Sequence, residues 1–262
     1  MKTIPITTIT FDQRFDPAKM KNLRGAIIED VMQNKSVFDA AEISTRLFHN
    51  HKEIALGADK DSLPKGAGRH YHYPYIQYQQ RHGRAGIMGI GPGAQAVQLW
   101  SSIVGDHLIV DGKEFTLEVY QHQHEQWTPQ ITEEVSTYRL NKWMPFNTEN
   151  LNLWKSTARL TDKAKILDKL LWGHHFHLAE GLGFEIEKEN FQLYVNTIDH
   201  QSWRDCYGVK KLSLDITFST NLNLPGEIGL GQGTTIGYGK VQNISNKPKA
   251  TRRTYSFRKA AR

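Results

Sequence analysis

The chain has very little cysteine and no long apolar segment. Cys206 is the single cysteine among 262 residues, which excludes a disulfide framework and a cysteine-rich zinc site. No run of about 18 apolar residues occurs, so no segment has the pattern of a membrane-spanning helix. The first residues, MKTIPITTITF, alternate in polarity and predict a β-strand instead of a secretory signal peptide. We therefore expect a cytoplasmic protein without membrane contact.

Acidic residues are absent from positions 240–262, which carry eight Lys or Arg. The formal net charge of the whole chain is +6. This segment alone carries a charge of +8, so the other 239 residues sum to 6 − 8 = −2. Tyr255 and Phe257 alternate with its cations. Cations neutralise phosphates and aromatic rings stack on bases. The segment therefore predicts a nucleic-acid contact, and the alternative is a solvated tail that only aids solubility.

The usual phosphate-loop motifs are also missing, although six glycines occur in the segment 226–239, GEIGLGQGTTIGYG. A P-loop needs Ser or Thr after Gly-Lys, but Val241 follows Gly239 and Lys240. The glycine spacing does not fit the dinucleotide-binding fingerprint either. What remains is a glycine-rich loop before a last strand, whose backbone N–H groups could approach phosphate oxygens. A flexible hairpin is the alternative.

Hydrophobic periodicity predicts two similar halves. In the first half the expected order is a strand near 4–11, a helix over 17–32, a strand in YHYPYIQYQ, a strand at 87–90, a helix in GPGAQAVQLWSSIV and a hairpin turning at Asp111-Gly112. The second half repeats this theme with a strand over 135–143, a helix starting at Thr161 and strands near 191–198 and 211–220. The polar stretch QHQHEQWTPQ marks a boundary near residue 128.

We therefore predict an α+β protein of tandem ferredoxin-like domains, each an RRM-like βαββαβ unit. The N-terminal domain is expected to span residues 1–127. The C-terminal domain, expected over 128–262, would carry the glycine-rich loop and the basic tail.

Two glycine motifs, Gly231-Gln232-Gly233 and Gly237-Tyr238-Gly239, precede the last strand. This segment resembles the C-terminal glycine-rich signature of the CRISPR-associated repeat-processing endoribonucleases, members of the repeat-associated mysterious protein (RAMP) superfamily. The stretches LRGAI, LFHNH, YPYIQYQ, GIMGIGPGAQAV and LLWGHHFHLAEGLG resemble, in the same order, the variety common in type I-B systems. The resemblance covers most of the chain.

The resemblance implies a metal-independent endoribonuclease, without a cofactor, that cuts CRISPR repeat RNA once per repeat. In this chemistry the 2′-hydroxyl upstream of the scissile phosphate attacks it and leaves a 2′,3′-cyclic phosphate and a 5′-hydroxyl. The implied partners are precursor and mature CRISPR RNA, with effector-complex proteins and a second copy of the chain as further candidates. The alternative is a non-catalytic CRISPR RNA-binding subunit of an effector complex.

The resemblance places the catalytic histidines, His49 and His51, in the stretch FHNH. One would act as general base and the other as general acid, in an order that the sequence does not fix. Histidine suits both transfers because its unperturbed pKa lies near neutrality. Lys52 could stabilise the negative charge that develops on the phosphate. An insert separates these residues from Tyr73 and Tyr75, one of which matches the tyrosine that often assists catalysis in the resembling enzymes. The alternative is that HNH is a polar turn.

The predicted RNA contacts come from the glycine-rich loop, the lysine that follows it and the basic tail. A loop rich in N–H groups beside a basic segment favours contact with phosphate oxygens. The predicted residues are Gly229, Gly231, Gln232, Gly233, Thr234, Thr235, Gly237, Tyr238, Gly239, Lys240, Arg252 and Arg253.

A further histidine cluster occurs in GHHFH, inside a predicted helix. His174 and His177 are spaced i, i+3 and could ligate zinc together with His122 or His124. A role of this cluster, which includes His175, in helix packing or at the edge of bound RNA is the interpretation that we favour. The letters HNH also occur in metal-dependent HNH nucleases, but the further ligands of their ββα unit are not found here. We predict no metal site.

Overall fold

Two four-stranded antiparallel sheets form the framework of the computed structural model, which describes residues 2–49 and 73–245. The first half contains β1 (Ile4–Arg14), α1 (Met20–Gln33), α2 (Lys35–Ala40), β2 (Ile76–Arg81), β3 (Arg84–Ile90), α3 (Pro92–Ile103), the hairpin β4 (His107–Val110) and β5 (Lys113–Thr116), and β6 (Val119–Trp127). Two 3₁₀ turns, Pro17–Lys19 and Thr45–Phe48, flank α1 and α2. The strand order in the first sheet is β2-β3-β1-β6.

The second half has longer strands and a long helix. It contains β7 (Ile131–Trp143), α4 (Thr148–Ser156), α5 (Leu160–Leu182), β8 (Leu193–Cys206), β9 (Val209–Leu222), a 3₁₀ turn (Thr234–Ile236) and β10 (Lys240–Asn243). The strand order in its sheet is β10-β7-β9-β8. Within the described residues, no helix is both long and apolar enough to cross a membrane.

Both strand orders are those of a βαββαβ ferredoxin-like unit, in which the first and third strands lie in the middle. The predicted α+β fold of tandem ferredoxin-like domains is therefore confirmed. The second half differs in one respect, because among its described residues no helix connects β9 to β10. The glycine-rich segment, with its single 3₁₀ turn, occupies that place in the chain.

The polar stretch QHQHEQWTPQ, expected to mark a boundary near residue 128, begins inside strand β6, Val119–Trp127, and continues past its end. The strand lies at the edge of the first sheet, and nearly all of its residues are exposed on both faces. An edge strand of this kind has no buried face to impose an apolar alternation, so its sequence resembles a linker. The division at residue 128 itself stays a prediction.

Two hydrophobic cores lie on opposite faces of the first sheet. One core joins this sheet to α1 and α3 and includes Ile9, Leu23 and Trp100. The other is built mainly from the second sheet and α5, and it also takes in Ile4 and Trp127 from the first half. The first sheet is thus covered on both faces. The second of these cores contains residues from both halves of the chain.

Two glycines allow α3 to pack directly on the strands beneath it. A Cβ atom on Gly89 would lie 2.1 Å from the carbonyl oxygen of Gly93, and a Cβ atom on Gly93 would lie 2.1 Å from the carbonyl oxygen of Tyr75. Both neighbours are backbone atoms, which cannot move aside as a flexible side chain can. The helix therefore depends on the absence of side chains at these positions.

Gly93→Ala should destabilise the protein strongly. Overpacking of this kind costs about 1–3 kcal/mol, and we expect the upper end because the clash is with backbone. Urea-induced unfolding measures the change. Gly105→Ala is the matched control, since a Cβ atom there meets nothing within 4 Å. Equal stabilities of the two variants would contradict this account of the packing.

Candidate functional site

His49 follows a short turn that is anchored in the core of the first half. The 3₁₀ turn Thr45–Phe48 ends at His49. Phe48 is 1% exposed and packs edge-to-face on Phe38, with 5.8 Å between ring centroids. The backbone at His49 is therefore held in place by a buried neighbour. The predicted site residues that lie outside the described residues are His51, Lys52, Arg252 and Arg253.

Arg24 of α1 binds the backbone of His49 and brings a positive charge beside it. Its Nη2 donates to the His49 carbonyl oxygen at 2.9 Å, and its Nε is buried without a hydrogen-bond partner in the described part of the chain. The Tyr78 hydroxyl is likewise buried and without a partner among those residues. Burial raises the pKa of Tyr78, and the charge of Arg24 opposes that rise. A guanidinium N–H and a hydroxyl thus lie buried near the His49 turn without a hydrogen-bond partner among the described residues.

The second half reaches this site through the β8–β9 turn and the glycine-rich loop. The ring of Tyr207 lies 6.0 Å from Cζ of Arg24, and its hydroxyl is 2.9 Å from Oγ1 of Thr235. Ile236 packs against the core of the first half. His49 therefore lies near a junction of α1, the turn and the loop. Sequence reasoning did not select Arg24 or Tyr207, because tertiary packing alone brings them together.

The two tyrosines predicted to assist catalysis both donate hydrogen bonds from the first half to the second half. The buried Tyr73 hydroxyl donates to the Gly229 carbonyl oxygen at 2.8 Å and accepts from Nε2 of Gln77 at 2.9 Å. Burial raises the pKa of Tyr73 above its usual range. The Tyr75 hydroxyl donates to the Gly181 carbonyl oxygen at 2.7 Å. These contacts give both hydroxyls structural partners, and an assisting role of Tyr73 or Tyr75 in catalysis stays a prediction.

The glycine-rich loop is divided into buried and partly exposed residues. The buried residues predicted to contact RNA are Gly229, Thr234, Thr235 and Gly239; the partly exposed ones are Gly231, Gln232, Gly233, Gly237, Tyr238 and Lys240. A Cβ atom on Gly239 would lie 1.9 Å from the carbonyl oxygen of Leu230, so this glycine is required for close packing. RNA contact stays a prediction for the partly exposed residues, whereas the geometry supports a structural role for the buried ones.

Lys240, another predicted RNA contact, takes part in an ion-pair cluster between the halves. Its Nζ lies 3.2 Å from Oε1 of Glu227 and donates to the Gln80 carbonyl oxygen at 3.1 Å. Arg81 of β2 forms an ion pair with the other carboxylate oxygen of Glu227. All three charged side chains are 14–17% exposed. The cluster therefore gives Lys240 a counter-charge that it shares with Arg81, and it joins β2 to the start of β10.

Glu227→Gln should destabilise the protein by about 2 kcal/mol, because it leaves two largely buried cations without a counter-charge. Urea-induced unfolding at neutral pH measures this loss. The matched control is Asp39→Asn, which removes the exposed pair of Asp39 with Lys35 and should change little. If both variants unfold at the same urea concentration as the unsubstituted protein, the cluster does not hold the halves together.

The GHHFH cluster lies on α5, where His175 is fully buried and His174 and His177 are partly buried. Trp143 Nε1 donates to Nδ1 of His174 at 3.0 Å, and Nδ1 of His175 lies 2.8 Å from the Leu171 carbonyl oxygen. Burial lowers the pKa of His174 to about 3 and that of His175 to about 4. The ring of His177 contacts that of Tyr73. Within residues 2–49 and 73–245, no three His, Cys, Asp or Glu side chains are grouped to hold a metal ion.

The neutral His175 predicts a loss of stability in mild acid. Its folded-state pKa of about 4 lies below the unfolded value of about 6.5, so the unfolded state binds the proton first as the pH falls. Stability should therefore decrease between about pH 6.5 and pH 4, by at most about 1.4 kcal/mol per pH unit for each such group. His175→Met should make the dependence shallower by about that amount, measured by urea unfolding at pH 5 and 6.

The exposed Leu153 provides the control for this measurement. Leu153→Gln should leave the pH dependence unchanged, because Leu153 is 51% exposed and carries no titratable group. A dependence as steep in His175→Met as in the unsubstituted protein would show that His175 does not stay neutral in the fold.

Family models match both halves of the chain. The model of the Cas6b N-terminal domain matches residues 2–128, and the model of the Cas6b C-terminal domain matches residues 130–244. No curated protein sequence matches the chain. The matched ranges contain both sheets, the His49 turn and the glycine-rich loop.

Solved structures share the same fold. A crystal structure of Cas6b superimposes with a TM-score of 0.72 at 20% sequence identity, and that of the CRISPR RNA processing endoribonuclease Cas6b with 0.64 at 15%. Csf5, a type IV Cas6 crRNA endonuclease, gives 0.52 at 11%. Each alignment covers 93% of this chain and 100% of the other. At these identities the likeness is one of fold, over the full length of each relative.

Proposed function

This chain belongs to the Cas6b family, and from that premise we propose that it is an endoribonuclease that cleaves CRISPR repeat RNA. Its substrate would be the repeat within precursor transcripts, and its products mature guide RNAs. The two family models together cover nearly the whole chain. A structure of the same fold is that of a CRISPR RNA processing endoribonuclease. The cytoplasmic location, the effector-complex partners and a homodimer stay predictions.

The proposed reaction is a transesterification without a metal ion. The 2′-oxygen upstream of the scissile phosphate loses its proton to a general base and forms a bond to phosphorus. The bond from phosphorus to the 5′-oxygen breaks, and a general acid protonates that oxygen. A 2′,3′-cyclic phosphate and a 5′-hydroxyl result. His49 and His51 would carry out the two proton transfers, because histidine exchanges protons near neutral pH.

The observation that carries this proposal is the contact between Arg24 and His49. The guanidinium donates to the His49 carbonyl oxygen at 2.9 Å and fixes the start of the FHNH segment at the junction of the two halves. Its buried Nε has no hydrogen-bond partner in the described part of the chain. A pentacoordinate phosphorane concentrates negative charge on its oxygens, and a guanidinium next to the histidine would stabilise that charge.

We expect the purified protein to cut its host's CRISPR repeat RNA once, in EDTA, and to leave a cyclic phosphate end. A copy of the RNA with a 2′-deoxy nucleotide at the cleavage site should remain intact, because the attacking oxygen is missing. His49→Ala should lower the single-turnover rate constant about 100-fold or more, since positioned acid–base groups contribute about 10²–10⁴. Its affinity for the 2′-deoxy copy should stay within a factor of about two.

His107→Ala is the matched control, and its cleavage rate should equal that of the unsubstituted protein. Tight binding of the repeat without any product would favour the RNA-binding subunit over the enzyme. Cleavage that requires an added divalent metal, or undiminished cleavage by His49→Ala, would overturn the proposed mechanism.

A further inference from the structure

A cleft of about 600 Å³ opens between the start of α1 and strands β7, β8 and β10. Aromatic side chains on its walls are those of Trp203, Tyr207 and Tyr238. Its cationic side chains are Lys21, Lys142, Arg204 and Lys240, and its carboxylates are Asp16, Asp205 and Asp215. The cleft is therefore rich in charge, and the partners of each charged group decide what it can bind.

Lys142 lies in a β-bulge of strand β7. Leu140 pairs with Ile216 and Trp143 with Leu214, so two residues of β7 lie opposite one residue of β9. Lys142 has a φ of 52°, a left-handed conformation that costs a non-glycine residue about 1–2 kcal/mol. Bulges often redirect a side chain next to a functional site. This one gives a lysine a strained backbone where glycine would fit without strain.

Two hydrogen bonds hold that bulge. The Lys142 backbone N–H donates to a carboxylate oxygen of Asp215 at 2.6 Å, and the Gly239 N–H donates to the Lys142 carbonyl oxygen at 3.2 Å. A strained conformation persists only where the surrounding structure determines it. Strand β9 and the end of the glycine-rich loop both do so here.

The carboxylates of the cleft are occupied by backbone groups. Asp16 accepts from the Ala18 N–H at 2.9 Å, and Asp205 accepts from the Gly208 N–H at 3.0 Å. Each caps a turn, as Asp215 caps the bulge. Each of these three carboxylates thus has a backbone partner, and within the described residues none of them forms a salt bridge with a cation of the cleft.

Three of the four cations, Lys21, Lys142 and Arg204, lack such partners within the described residues, and the Lys21 ammonium lies 5.8 Å from the centroid of the Tyr207 ring. Within the described residues, neither the Lys142 ammonium nor the Arg204 guanidinium forms a hydrogen bond or a salt bridge, and Nε of Arg204 is buried. Burial lowers the pKa of Lys142, and the charges of Arg204 and Lys240 lower it further, while Asp215 opposes them. Lys142 and Arg204 line the same cleft, and their like charges repel each other. An anion between them would relieve both the repulsion and the missing hydrogen bonds.

We propose that Lys142 and Arg204 bind one phosphodiester group of a single-stranded RNA segment, at a subsite that adjoins the His49 junction through Tyr207. The subsite rests on the proposed function and adds a second anchor for the same substrate. Its volume falls within the range of about 300–1,000 Å³ for small-ligand sites, which suits a short single strand. Unpaired bases can stack on the aromatic walls. His49 is not among the residues that line the cleft.

Lys142→Gly and Arg204→Gln test the subsite. Each should weaken binding of a fluorescent, single-stranded copy of the host repeat, 2′-deoxy at the cleavage site, about tenfold, as expected for a lost charged hydrogen bond. The slope of log affinity against log salt should become shallower by about 0.7. At saturating protein, the single-turnover cleavage rate of the all-ribose repeat should stay within about twofold.

The glycine variant separates binding from folding, because glycine adopts the positive φ without strain. Its melting temperature should equal or exceed that of the unsubstituted protein. Lys142→Arg keeps the charge and should retain most of the affinity. The control for loss of one surface charge is Lys210→Ala, which lies on the same hairpin as Arg204, is exposed and does not line the cleft.

The outcomes distinguish the subsite from the proposed function. If the protein cuts repeat RNA but Lys142→Gly and Arg204→Gln bind it with the affinity and salt slope of Lys210→Ala, the subsite is wrong and the function stands. If the protein cuts nothing, yet both variants lose affinity, the subsite stands and the function is wrong. A tenfold loss with unchanged saturated cleavage supports both.

Discussion

The position of the glycine-rich loop depends on the buried side-chain amide of Gln77. Its Oε1 accepts from the Gly229 N–H at 2.9 Å, and its Nε2 donates to the Tyr73 hydroxyl, which in turn donates to the Gly229 carbonyl oxygen. One amide of the first sheet, with one tyrosine, thereby satisfies both backbone groups of a residue in the second half. Each buried polar group left without a partner costs about 1–3 kcal/mol, so the arrangement favours one docking of the loop over any displaced one.

Because the loop docks in this way, its glycines are required for close packing. Gly239 passes Leu230 with no room for a Cβ atom, and Gly231 and Gly233 have positive φ. A helix at this point, as in the first half, would hold the backbones of the two halves apart. The loop instead lets Ile236 reach the core of the first half and places Tyr238 on the wall of the cleft. The glycines of this segment are thus explained by the close packing of the loop between the two halves.

The sequence predicts the strand and helix order well, because buried faces impose a periodicity that the amino-acid pattern retains. It fails where no face is buried: strand β6 is exposed on both sides, so Gln121, His122 and Gln123 resemble a linker. It also fails where partners are distant in sequence. Tyr73 and Gly229 are 156 residues apart, and nothing in the sequence around Tyr73 shows that its hydroxyl donates a hydrogen bond to Gly229. His49 follows from the FHNH motif, whereas Arg24 and Lys142 depend on tertiary contacts and on a bulge that no motif indicates.

The site near His49 is composite, and this links RNA binding to the docking of the halves. Arg24 holds the His49 backbone from the first half, while Tyr207 of the second half packs near the same guanidinium. Weakening the contacts between the two halves would therefore displace Tyr207 from the site without changing His49 itself. Conversely, a ligand that contacts both halves favours the docked state by RT ln(1 + [L]/Kd), about 2.7 kcal/mol at a ligand concentration of 100 Kd. A strand of RNA held at the junction and in the cleft would act as such a ligand, so substrate binding itself would tighten the arrangement that positions His49.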